Sequence, residues 1–199
     1  MSGEVVIIDS GGANLASLQF ALERLGARSA VSADPAAIAS AARVLVPGVG
    51  SAGDAMRRLR AAGVDRVLTT LRQPVLGICL GMQLLFERSA EGPTDTLGVF
   101  PGRVDRLVPA PGRPVPHMGW NTLDLRRADP LLEGIAAGEH FYFVHSFAAQ
   151  PSPTTIATAD YGGALVAVAG RDNFRGVQFH PERSGAAGAR LLANFLRLH

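Results

Sequence analysis

The sequence predicts a single α/β domain over residues 1–199, a three-layer sandwich whose central sheet is mostly parallel, with a more antiparallel second half. Three observations predict it. The first half alternates short apolar runs with segments whose apolar residues recur at helical spacing, the pattern of a parallel sheet covered by helices. Beyond Gly92 and Pro93 the texture changes to short β-like runs separated by Pro, Gly and Asp. A chain of 199 residues with 47% hydrophobic content and a mean hydropathy of +0.18 also fits one domain with a substantial core.

In order along the chain, "VVIID" reads as a buried strand, and "NLASLQFALERLG" as a helix with Asn14 as N-cap and Gly26 as C-terminal stop. "DPAAIASAA" is a short helix started by Asp34 and Pro35, "RVLV" a strand, "SAGDAMRRLRAAG" a helix and "PVLGI" another buried strand. The later strands are "RVDRLV", "TTIATA", "ALVAVAG" and "GVQFHP". "PAPGRPVP" is a surface loop, and "SGAAGARLLANFLRL" an amphipathic helix that packs back onto the sheet. No internal repeat or low-complexity segment interrupts this order.

Composition excludes several classes of function. All nineteen basic residues are Arg, so there is no P-loop lysine and no Schiff-base chemistry. The arginines are scattered, which leaves no nucleic-acid footprint. One cysteine cannot form an internal disulfide, and no Cys/His zinc spacing or calcium loop is present, so neither a metal nor a cofactor is expected. The apolar runs fall far short of the roughly 20 residues that span a bilayer, and no charged-then-apolar leader opens the chain. A soluble, cytoplasmic protein is expected, with no membrane partner.

The single cysteine lies in "PVLGICLGMQLLFE", flanked by Gly77 and Gly81. G-x-C-x-G is the spacing of a nucleophile elbow, a sharp strand-to-helix turn that presents its central side chain. In that geometry Cys79 is the nucleophile, the Leu80 backbone N–H faces a developing oxyanion, and helix formers continue through Glu87. A small buried structural residue is the competing reading. His180 in "GVQFHPE" supplies a base. Glu182, two positions on, shares its face in an extended chain and can orient the ring, completing a Cys-His-Glu triad. A capping Glu beside a core His is the alternative. His145 in "FYFVHSF" is a competing base without a nearby acid and reads as core or pocket wall; His117, His140 and His199 have weaker contexts.

"PGVGSAG" satisfies G-x-G-x-x-G through Gly48, Gly50 and Gly53, but not in the first β-α unit. The strand after it ends at Cys79 where a ribose-binding acid is expected. The loop is therefore read as a second source of oxyanion donors, with the Val49 N–H as candidate.

"PGVG", "GICLGMQLLFE" and "GVQFHPERSG", in that order, resemble the class I (triad) glutamine amidotransferases over the whole chain. "NLASL", "PHMGWN" and "FYFVHSF" narrow the resemblance to the branch that feeds a (β/α)₈ barrel synthase of histidine biosynthesis. The resemblance implies that Cys79 attacks the side-chain amide of glutamine, with His180 as proton shuttle and Glu182 as its orienter. It implies Leu80 and Val49 as oxyanion donors. It further implies that Gly48, Gln83 and the Ser146-Phe147 backbone grip the amino-acid end of glutamine, and that Asn14 and Trp120 face the synthase (cyclase) subunit in a heterodimer. In that family the partner uses the ammonia on a phosphoribulosyl formimino carboxamide nucleotide, and the resemblance implies the same here. The opening loop "DSGGAN" departs from relatives at Ser10 and Ala13.

Other readings stay open at this point: an amidotransferase for another acceptor such as chorismate, a stand-alone hydrolase of γ-glutamyl bonds, or a non-catalytic interaction module on the same fold.

Overall fold

In a computed structural model that describes residues 4–9 and 15–199, both faces of the first strand are covered. In β1 (Val5–Ile8), Val5 and Ile7 enter one apolar core while Val6 and Ile8 enter another on the opposite face. This is why the strand reads as an unbroken apolar run. The next elements are α1 (Leu15–Arg24), β2 (Ser29–Ser32), α2 (Pro35–Ser40), β3 (Arg43–Val46), α3 (Ala52–Ala61), α4 (Val64–Leu68), β4 (Val75–Ile78) and α5 (Leu80–Gln83). The expected N-cap Asn14, with Ser10 and Ala13, lies outside the described residues.

The helix boundaries follow local chemistry. Past α1, Gly26 adopts φ 73°, its N–H donates to Glu23 O and the Ala27 N–H to Leu22 O, a paired closure that ends the helix. The Asp34 carboxylate accepts from the Ala36 N–H at 3.0 Å to open α2. Gly63, at φ 70°, separates α3 from α4, a helix that the periodicity did not predict.

The second half contributes β5 (Arg88–Ser89), β6 (Thr94–Asp95), β7 (Arg103–Arg106), β8 (His117–Thr122), β9 (Asp124–Leu125), β10 (His140–His145), β11 (Phe147–Ala149), β12 (Thr155–Asp160), β13 (Ala164–Arg171), β14 (Phe174–Val177) and α6 (Gly185–Phe195). The main sheet has the order β2-β1-β3-β4-β14-β13-β12-β9. It is parallel from β2 to β14 and antiparallel from β14 to β9, as the change of texture after Gly92 predicts. Leu18 and Leu22 of α1 and Leu191, Leu192 and Phe195 of α6 cover one face; Ile38, Met56, Leu59, Val64 and Leu68 of α2, α3 and α4 cover the other. Each such buried side chain contributes about 1.5–3 kcal/mol of transfer free energy.

The helix after Cys79 is shorter than expected. It closes at Gln83 because the carbonyls of Leu84, Leu85 and Phe86 turn away to accept the Leu97, Phe100 and Gly98 N–H groups of the following loop. A smaller sheet, β11-β7-β5-β6, and the ribbon β10-β8 stand beside the main one. Both bring segments to the carboxyl ends of β3, β4 and β14, where open α/β sheets form crevices.

Candidate active site

The turn from β4 into α5 is made by Cys79 at φ 55°, ψ −112°, a backbone region that L-residues rarely enter. Its N–H donates to Val177 O at 2.8 Å, tying the turn to β14. The glycines around it are packing requirements. A Cβ on Gly77 would sit 2.7 Å from Gly81 O, one on Gly81 1.6 Å from Val46 O, and one on Gly48 2.9 Å from Gly81 N. The turn is thus wedged against the end of β3 with no room for a methyl group.

His180 follows β14, whose last strand residue is Val177, and its N–H donates to Tyr142 O at 2.9 Å. The ring Nδ1 lies 2.8 Å from Glu182 Oε1. The route differs from the one the sequence suggested. Residues Pro181–Arg183 form a 3-10 turn rather than a continued strand, since the fixed φ of proline suits the start of a helical turn. Glu182 therefore reaches back across a turn.

Burial alone would lower the His180 pKa, but hydrogen bonds to Cys79 and Glu182, together with their charges, push it up to about 10. The second Glu182 oxygen is buried without a hydrogen-bond partner, an arrangement that favours a positive charge on the neighbouring ring. A raised folded value means stability that is fully present below the unfolded value of 6.5 and is lost as pH rises toward about 10. The urea-midpoint gap between the native protein and Glu182→Gln is accordingly expected to be widest at pH 5–6 and to shrink toward pH 10. A gap independent of pH would contradict the pairing.

Cys79, His180 and Glu182 line one cavity of about 430 Å³ with Gly48, Val49, Leu80, Gln83, Ser146 and Phe147. The G-x-G-x-x-G loop faces this cavity through Pro47 to Gly50. Its positive φ falls at Gly50 (90°), while Gly48 serves close approach to Leu80 and Gly81. Trp120 lies outside the lining. It is 56% exposed on β8, next to 61% exposed Met118 two residues earlier and edge-on to Tyr142 of β10. Asn14 falls outside the described residues.

His145 forms part of the cavity wall. Its Nδ1 lies 2.8 Å from Phe147 O and must carry the proton, so its Nε2 accepts from His117 Nδ1 at 3.0 Å. Burial lowers both rings to about 4, in His145 against the opposing hydrogen bond to Phe147 O, so the pair is neutral at neutral pH. A neutral ring with both nitrogens engaged is held as part of the cavity wall.

Residues 6–198 match the family described as glutamine amidotransferase class-I. The chain belongs to that family. Among curated relatives of this amidotransferase, the imidazole glycerol phosphate synthase subunit HisH of Xylella fastidiosa strain Temecula1 is 51% identical over 195 residues, covering 98% of both chains. The subunit of the same name from Mannheimia succiniciproducens is 50% identical over 192 residues, 96% of this chain and 98% of that one. Similar solved structures include a glutamine amidotransferase (TM-score 0.75, 22% identity, 96% of each chain) and PurLQS from Thermotoga maritima (TM-score 0.72, 19% identity, 98% of each chain). These last two establish the likeness of fold.

The sequence reading of the amidotransferase missed Gln178, whose side chain is fully buried between Cys79 and Gln83. The signal was available, because Gln178 stands two residues before His180 in an extended segment, the same alternation used to pair His180 with Glu182. It also missed Leu18, Glu91, Pro116 and Arg183 of the cavity lining, which carry no spacing signal. Among the described residues, no cluster could hold a metal ion and no helix is long and apolar enough to cross a membrane.

Proposed function

We propose that this chain is the glutaminase subunit of an imidazole glycerol phosphate synthase, and that Cys79, His180 and Glu182 perform its chemistry. The observation that carries the reading is identity of about half, over 98% of the chain, to curated subunits of that name. In the mechanism, Cys79 Sγ attacks the side-chain carbonyl carbon of glutamine, its proton residing on His180. The oxyanion is held by the Leu80 and Val49 N–H groups. His180 delivers the proton to the amide nitrogen, the C–N bond breaks, and ammonia leaves a thioester on Cys79. Water, deprotonated by His180, then attacks the thioester, releasing glutamate and restoring the thiol. Glu182 holds the His180 ring and balances its charge throughout.

Gly48, Gln83, Ser146 and Phe147 grip the amino-acid end of the substrate. The Phe147 carbonyl already accepts from His145 Nδ1 and Gln83 Nε2, each at 2.8 Å, so its polar contact with glutamine is through its N–H. The exposed Trp120 and Met118, with Asn14, face a (β/α)₈ cyclase subunit in a heterodimer, an aromatic anchor of the kind interfaces favour. The cyclase takes the ammonia and forms imidazole glycerol phosphate. The test is glutamine hydrolysis by the chain alone and then with the cyclase and its nucleotide. A slow rate alone that rises strongly on mixing is the expected result; equal rates in both would sink the subunit reading in favour of a stand-alone hydrolase.

A further inference from the structure

We propose that Gln178 is a positioning residue of the glutaminase centre: one amide hydrogen is donated to the Cys79 sulfur, while its carbonyl oxygen anchors Gln83. A single buried amide then holds the nucleophile and a substrate-gripping side chain in register. The inference rests on the reading of Cys79 as the nucleophile.

The orientation of the amides is forced by the chain of contacts. The Phe147 carbonyl can only accept, so the Gln83 terminal atom 2.8 Å from it is the nitrogen. That nitrogen also lies 3.0 Å from a terminal atom of Gln178, which must be the oxygen, since two NH₂ groups would meet donor against donor. The remaining Gln178 atom, its Nε2, is therefore the one 3.8 Å from Cys79 Sγ, within the longer reach of a sulfur acceptor. Both hydrogens of the Gln83 amide are committed, to Phe147 and Gln178, so Gln83 cannot rotate without breaking one.

The backbone locks this arrangement. The Gln178 N–H donates to Ala167 O on β13 at 2.9 Å, and the residue follows directly on β14, which pairs in parallel with β4 leading into Cys79. Gln178 is 0% exposed. Burying an amide is costly unless its groups are used, and among the described residues the sulfur is the hydrogen-bond partner of its Nε2. The sulfur is thereby held between a donor and an acceptor, with Gln178 Nε2 and the Val144 carbonyl each 3.8 Å away.

Cys79 is the chain's one cysteine, so its alkylation by iodoacetamide reads the nucleophile directly. Gln178→Glu keeps an acceptor for Gln83 but faces the sulfur with a carboxylate oxygen. Its alkylation at neutral pH is expected to slow about ten- to hundredfold, the rise of rate with pH moving upward, and kcat to fall with KM near native. Gln178→Met introduces no charge and serves if the first variant does not fold. It removes both contacts, so slower alkylation is expected together with a raised KM as Gln83 loses its anchor. An alkylation profile that superimposes on the native one in either folded variant overturns the proposal. The reading beneath it fails differently: native protein fully alkylated at Cys79 would still hydrolyse glutamine.

Discussion

Replacing Cys79 by alanine is expected to abolish glutamine hydrolysis, by about 10⁴-fold or more, while the chain still folds. Cys79→Gly is expected to be equally inactive and to melt higher than Cys79→Ala. The second half of this expectation carries the physical content. At most positions glycine is less stable than alanine by about 0.5–1 kcal/mol, because the unfolded chain loses more freedom. At φ 55°, ψ −112° the order reverses, since a Cβ there costs about 1–3 kcal/mol of strain. The net advantage of glycine, up to about 2.5 kcal/mol, corresponds to as much as several degrees for a chain of this size. Calorimetry on the two variants decides it. A glycine variant melting below the alanine one would mean that the turn is relaxed, and the reading of a strained, presented nucleophile would lose its structural support.

Crowding at this turn is also what made it legible in the sequence. Glycines two residues to either side of a cysteine mark a turn too tight for a Cβ at those positions, and the structure gives each a backbone neighbour at contact distance. The parallel strands could be read because burial on both faces removes polar residues from them, as Val5–Ile8 shows. The Pro47–Gly50 loop was legible as a glycine pattern, but its separate demands were not. Gly48 answers a close approach and Gly50 a positive φ, and both look alike in a string of letters. Long-range partnerships were the least visible. Nothing in the spacing from Gln83 to Gln178, or from His117 to His145, announces that they hydrogen-bond, since those meetings are made by β4 pairing with β14 and β8 with β10. Local geometry misled where the turn at Pro181 replaced the strand assumed to carry His180 to Glu182, and where α5 closed at Gln83 short of the expected Glu87.

Gly81→Ala is expected to cost more than any other single methyl group added to this chain's cysteine elbow. Its Cβ would fall 1.6 Å from Val46 O and 2.7 Å from Val46 C, both backbone atoms, so no side chain can rotate away to make room. Either β3 or the turn has to move. Val46 is paired with Gly77 in the ladder between β3 and β4, so moving β3 breaks sheet hydrogen bonds beneath Cys79. Moving the turn instead carries Gly81 against Gly77, a position so close that a Cβ there would fall 2.7–2.8 Å from Gly81 O and C. Overpacking of this kind costs about 3 kcal/mol or more, which lowers the melting temperature by about 6–12 °C. A displacement of Cys79 by about 1 Å would also reduce glutamine hydrolysis about 10²-fold even in the fraction that folds. Gly53→Ala supplies the control. It lies in α3, and its added methyl would meet the Thr94 hydroxyl at an ordinary 3.4 Å. That variant is expected to be active and stabilised by up to about 1 kcal/mol, because alanine is the better helix former. Were Gly81→Ala to melt and react like the native protein, the elbow could not be packed on β3 as described. The glycine spacing around Cys79 would then need a reason other than steric fit, and the proposal that the Leu80 N–H, at the start of α5, holds an oxyanion would lose its anchor.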